Sequence, residues 1–126
     1  MASPIKMTTT EQTLKTASGE LALKVLKLVG QLDESNVDDM ARQIYDLIET
    51  FPQQAVLLFD MQELTYLNSK TIGYLTDWHL KMSEKQGKMA LCGLRPNILD
   101  ILNVVGLTQI VTNYETLDAA KEAVAA

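Results

Sequence analysis

Residues 55–60, AVLLFD, are a run of five apolar residues closed by one acid. The run is too short for a long helix and too continuous for a strand with one wet face, so it fits a strand covered on both sides, as in the middle of a parallel sheet. Parallel neighbours must be joined by crossovers, usually helices, and a doubly covered strand needs such helices on its faces. The flanking sequence supplies them. Upstream, Val37, Met40, Ile44, Leu47 and Ile48 recur at spacings of three and four, with Asp38, Asp39, Arg42 and Glu49 on the opposite face. This predicts an amphipathic helix capped near Asp33 or Ser35 and interrupted at FPQQ.

Downstream, MQELT reads as a short connection, and a second helix is expected from Asn68 or Ser69 towards Gln86. Its apolar stripe is Ile72, Leu75, His79 and Met82, with Gly87 closing it. KMALCGL is a further buried strand. Pro96 then opens a helix that places Ile98, Ile101, Leu102 and Val105 on one face and ends at Gly106, followed by a short strand, QIVTN. Thr116 caps a last helix, TLDAAKEAV, packed through Leu117, Ala120 and Val124. Before all of these, EQTLKTA and LALKVLKLVG flank turn residues around Gly19 and read as a hairpin. The apolar phase of the second hairpin strand changes near Val25 and Leu26, which requires either cover on both faces or a bulge. The fold class is therefore α/β: one domain over residues 11–126, a mixed sheet with an N-terminal hairpin, and about four helices packed on it. Residues 1–10 are expected to be a flexible arm.

With 47% hydrophobic residues in 126, the chain can bury one substantial core. A net charge of -5 without a basic patch argues against nucleic acid as partner. The N-terminus lacks the apolar run of a signal peptide and no segment suits a bilayer, so a cytoplasmic protein without direct membrane insertion is expected. Cys92, the single cysteine, lies in an apolar run without a basic neighbour and reads as a buried hydrophobe.

On local chemistry, Ser69 and Asn68 are both good helix caps. Ser69 also sits where a buried strand gives way to a helix, at the carboxyl edge of a sheet, where α/β folds concentrate their sites. The ordered series GQLDESN, AVLLFDMQELTYLNSKTIGYL, KMALCGLRPNILDILNVVGL and YETLDAA resembles the STAS domain of bacterial anti-sigma factor antagonists, over residues 11 to 124. That resemblance implies that Ser69 is a phosphoacceptor for an anti-sigma factor that is itself a serine kinase, and that phosphorylation ends binding to it. Ile72 and Gly73 match the apolar residue and second glycine of a family segment similar to D-S-S-G-L-G. Asn68, Lys70 and Thr71 depart from its Asp, second Ser and first Gly. The resemblance also implies a contact surface formed by Asp33, Ser35 and Asn36 in one loop, Asn68, Lys70 and Thr71 around the serine, and Tyr74 and Trp78 on the following helix. The same domain type serves as a non-phosphorylated interaction scaffold in lipid-transport ATPases and stress-sensing assemblies, which is the alternative. Either way the chain is expected to be a monomer or a weak homodimer.

No catalytic, cofactor or metal site is expected. His79, the only histidine, lies in an apolar stripe. No phosphate-cradling glycine loop and no metal-ligand spacing occur. Asp60 at the end of AVLLFD invites comparison with response-regulator receivers, but those need an acidic cluster for Mg²⁺ after the first strand and a lysine after the last. LKLVG and QIVTN provide neither, so Asp60 reads as a turn or cap group.

Overall fold

The computed structural model describes residues 3–125. The elements are β1 (Ile5–Thr16), β2 (Gly19–Leu32), α1 (Val37–Thr50), β3 (Val56–Leu67), α2 (Ser69–Glu84), β4 (Lys88–Cys92), α3 (Pro96–Val104), a 3-10 turn (Leu107–Gln109), β5 (Thr112–Tyr114) and α4 (Leu117–Ala125). They build one sheet in the order β1-β2-β3-β4-β5, with β1 antiparallel to β2 and the remaining pairs parallel. The hairpin and the four crossing or terminal helices are as the patterning predicts.

Period two in the central strands divides the interior. Leu57, Phe59 and Met61 point into a large core with Met40, Ile44 and Ile48 of α1, Leu75, Trp78 and Met82 of α2, and Ile98 and Leu102 of α3. Val56 and Leu58 point the other way, to a smaller core with Ala90, Cys92 and Ala120 of α4. Three helices therefore cover one face and α4 covers the other, which is why AVLLFD contains no wet position.

Of the two options open for β2, cover on both faces is realised. Leu26 and Leu28 belong to the large core, Leu23 and Val25 to the small one. The pairing with β3 also slips twice: Lys27 opposes Asp60 while Val29 opposes Glu63, and Gly30 opposes Leu64 while Gln31 opposes Tyr66. The extra residues lie on β3. They convert its buried positions after Asp60 from every second residue to every third, Met61, Leu64 and Leu67. MQELT is thus strand and not a connection, hidden because bulges erase the alternation by which a strand is read.

Five further expectations shift. The strand β1 begins at Ile5, inside the segment read as an arm, because its backbone pairs with β2 as far as Gly30. Gly30 sits at φ +121°, and a Cβ there would fall 2.4 Å from the Pro4 carbonyl, so glycine lets the N-terminal segment close against β2. Helix α2 buries Thr71, Leu75, Trp78 and Met82, a stripe rotated from the expected one so that Trp78 replaces His79. The cause is aromatic area: Trp78 stacks between Phe59 and Tyr74, with centroids 5.5 and 5.8 Å away, while Tyr45 meets it edge-on. At the end of α2 the left-handed position is Gln86, at φ 59°, with Gly87 one residue later against the Ala55 carbonyl. On α3 only Ile98 and Leu102 are buried, whereas Ile101 and Val105 face solvent. The last strand is Thr112–Tyr114, with Val111 filling the core just before it.

Candidate functional site

The carboxyl ends of β2 and β3 are fastened together by the Asn68 amide, which donates to the Leu32 carbonyl at 3.1 Å. This brings the 33–36 loop beside the start of α2. Between them lies a shallow depression of about 390 Å³ lined by Ser3, Asp33, Glu34, Ser35, Tyr66 and Asn68.

Asn68 is the cap of α2. Its side-chain oxygen accepts from the Thr71 amide at 3.0 Å and from the Thr71 hydroxyl at 2.7 Å. Ser69 is then the first helical residue, exposed, and its hydroxyl is not consumed by capping. The first turn of a helix leaves backbone N–H groups without intrahelical partners and carries the positive end of the dipole. No acid occupies the first turn of α2. An anion attached to Ser69 therefore meets a favourable local field. Lys70 is already engaged: its ammonium lies 2.8 Å from Asp38 of α1, and the Tyr74 hydroxyl donates to the same carboxylate at 2.6 Å. The Lys70 ammonium first, then the Tyr74 hydroxyl, holds the Asp38 carboxyl below the ordinary range. Exposed pairs of this kind add little net stability, but this one orients Lys70 and Tyr74 towards α1.

The neighbouring loop is organised around Asp33. Its carboxylate accepts from the Ser3 hydroxyl, from the Ser35 amide at 2.9 Å and from Gln31 at 2.7 Å. Asn36 is buried, takes the Asp33 amide on its oxygen at 3.0 Å and donates to the carbonyls of Ser3 and Gln31 at 3.0 and 2.9 Å. Hydrogen bonds from Ser3 above all, then Ser35 and Gln31, push the Asp33 carboxyl far below its ordinary value of 3.8. A depressed folded-state pKa means that the ionised form is favoured by folding. Its contribution is complete above the unfolded value and is lost as pH falls through the folded one. Wild-type stability is thus expected to decline below pH 3.8, and Asp33→Asn to flatten that part of the profile, as read by thermal melts over an acid series.

Six of the residues singled out in the sequence reach this edge with some accessible surface: Asp33, Ser35, Asn68, Ser69, Lys70 and Tyr74. Three do not present themselves. Trp78 is 0% exposed in the aromatic stack, so it is a core residue and not a contact. Thr71 is equally buried under the cap, and Asn36 is spent inside its loop. All three are short of surface for the same reason: their polar or aromatic groups find partners within the fold. Asp38, Ser3 and Tyr66 were not recognised in the sequence. Asp38 carries only the weak signal of an acid in a first helical turn, and the other two are joined to the site by chain folding alone.

Asp60 is buried and accepts from the Gln62 amide at 3.2 Å, a turn-like role inside the bulged strand. Burial pushes the Cys92 thiol up to about 12, which keeps it out of its nucleophilic form. Among the described residues no group of acids, histidine and cysteine is placed to hold a metal, and no helix is long and apolar enough to cross a membrane.

The chain is thus a small α/β domain with a mixed five-stranded sheet and an exposed serine where β3 gives way to α2. The STAS domain model matches residues 12–120, and the chain belongs to that family. STAS domains of this kind are regulatory modules and not catalysts. The anti-sigma F factor antagonist of Paenibacillus polymyxa is 24% identical over 91 residues, 72% of this chain and 77% of that protein. In structure, an anti-sigma factor antagonist from Mycobacterium paratuberculosis superposes with a TM-score of 0.79 at 18% identity, covering 98% of this chain and 97% of the other. The Bacillus cell fate determinant SpoIIAA in its phosphorylated form gives 0.66 at 15% identity, covering 94% and 99%.

Proposed function

We propose that this protein is an anti-sigma factor antagonist whose binding is switched by phosphorylation of Ser69. The observation that carries the reading is the division of labour at the start of α2: Asn68 caps the helix through Thr71, so the adjacent Ser69 hydroxyl stays exposed and free to react. The relative from Paenibacillus polymyxa supports the same class. In the unmodified state the edge formed by Asp33, Ser35, Asn68, Ser69, Lys70 and Tyr74 is the surface offered to a serine-kinase anti-sigma factor. Phosphorylation transfers the γ-phosphoryl group of ATP to Ser69 Oγ, with ADP leaving and the hydroxyl proton passing to a base of the kinase. This chain supplies the acceptor and its position. The product carries roughly -1.5 to -2 charges and three acceptor oxygens. Its own helix start accommodates that charge, whereas a partner fitted to a neutral hydroxyl meets bulk and repulsion.

Intact-mass spectrometry after incubation with ATP and the kinase-type anti-sigma factor of the same genome tests this. The expected result is the mass gain of one phosphate, absent in Ser69→Ala. Binding without a mass gain, in a preparation that phosphorylates a known antagonist, overturns the switch in favour of a phosphorylation-independent scaffold.

A further inference from the structure

We propose that the free edge of β1 pairs with the same edge of a second copy of this chain, antiparallel across a two-fold axis at Thr13. The strand runs for 12 residues, about twice the usual length, and has one strand neighbour, β2. Alternate residues of an antiparallel strand turn their N–H and C=O groups away from that neighbour, which leaves a row of unused donors and acceptors along the outer edge. Proteins ordinarily blunt such edges by shortness, a bulge, a proline or a covering element. The opposite edge of this sheet follows the rule, since β5 has 3 residues. β1 has only charged side chains, Lys6, Glu11 and Lys15, to guard it: its register with β2 is unbroken from Ile5 to Thr16, no proline interrupts it, and most of its side chains are exposed.

The sequence of the strand selects the partner and the register. A two-fold axis perpendicular to the sheet sets residues of the same face opposite one another, so odd positions meet odd and even meet even. A register centred on Glu11 places that carboxylate against itself. The register centred on Thr13 sets Glu11 against Lys15 of the second copy, twice by symmetry, and Gln12 against Leu14. No other register brings those charges together, and Lys6 cannot reach Glu11 because the two lie on opposite faces. Glu11 is well exposed at 65% while bonded to Lys24 at 2.8 Å, so a carboxylate oxygen remains available. Pairing about Thr13 engages residues 10–16, the hairpin half of the strand. The other half leads to Ser3 and the depression beside Asn68, so a dimer of this form leaves both copies of Ser69 open.

Sedimentation equilibrium of the full chain from micromolar to millimolar concentration is expected to show a reversible monomer–dimer equilibrium. Lys15→Glu sets like charges opposite each other twice and weakens it about tenfold; adding Glu11→Lys to Lys15→Glu restores it. Thr13→Cys, on the axis, forms a covalent dimer under mild oxidation, while Thr8→Cys, outside the paired segment, stays monomeric. Thermal melts of each variant separate loss of pairing from loss of fold. A chain that remains monomeric to millimolar concentration overturns the proposal. So does a dimer that Lys15→Glu leaves unchanged and Thr13→Cys does not cross-link.

Discussion

Ser69→Asp is expected to lose about a hundredfold or more in affinity for the kinase-type anti-sigma factor, while Ser69→Ala stays within about threefold of wild type. The two substitutions differ in charge at one exposed point and leave the cap intact, because the cap is Asn68. Aspartate at the first position of α2 faces unpaired N–H groups and the positive end of the helix dipole, so the domain itself is not destabilised. Its melting temperature should equal or slightly exceed that of wild type, so any loss of binding belongs to the interface. Isothermal titration with the partner in its nucleotide-bound form reads the difference. Equal affinity of the two variants would remove Ser69 from the contact surface.

The largest effect on stability is expected at Trp78. Trp78→Ala should cost about 3–5 kcal/mol in urea unfolding followed by circular dichroism, a large part of the roughly 5–15 kcal/mol available to a domain of this size. The side chain is completely buried, and its removal deprives Phe59, Tyr74 and Tyr45 of their common neighbour. Its indole N–H has no hydrogen-bond partner among the described residues, so Trp78→Phe forfeits area and no polar contact. That variant should lose about 1–2 kcal/mol. Similar losses in both variants would mean that the cavity relaxes by collapse of α2 onto β3.

The contrast between these two residues marks what could be read from the chain. Ser69 is legible because strand-to-helix transitions leave local signals: an apolar run that ends, a capping asparagine, and periodicity of three and four thereafter. Trp78 reads as a contact by the family resemblance alone, while its place beside an apolar stripe favours the core, and helix phase is known from sequence only to about one residue. The large ring settled the phase by packing against Phe59 and Tyr45, partners from β3 and α1 that lie far away in sequence. Thr71 and Asn36 misled for a related reason. Both are polar and sit in turn-like sequence, yet their hydrogen bonds close inside the fold.

By itself, then, the sequence determined the order of the elements, the mixed sheet with its opening hairpin, the doubly covered central strand and the position of Ser69 at the start of α2. Those follow from patterns repeated over two to four residues, which depend on backbone geometry and need no knowledge of distant neighbours. Only the tertiary structure decided that β3 continues through MQELT, that β1 begins at Ile5, that α2 buries Trp78, and that Asp38 and Ser3 join the site. Each of these depends on which strands and helices meet across the sheet. Bulges, aromatic stacking and hydrogen bonds between residues some thirty positions apart are set by that meeting and leave no period in the chain.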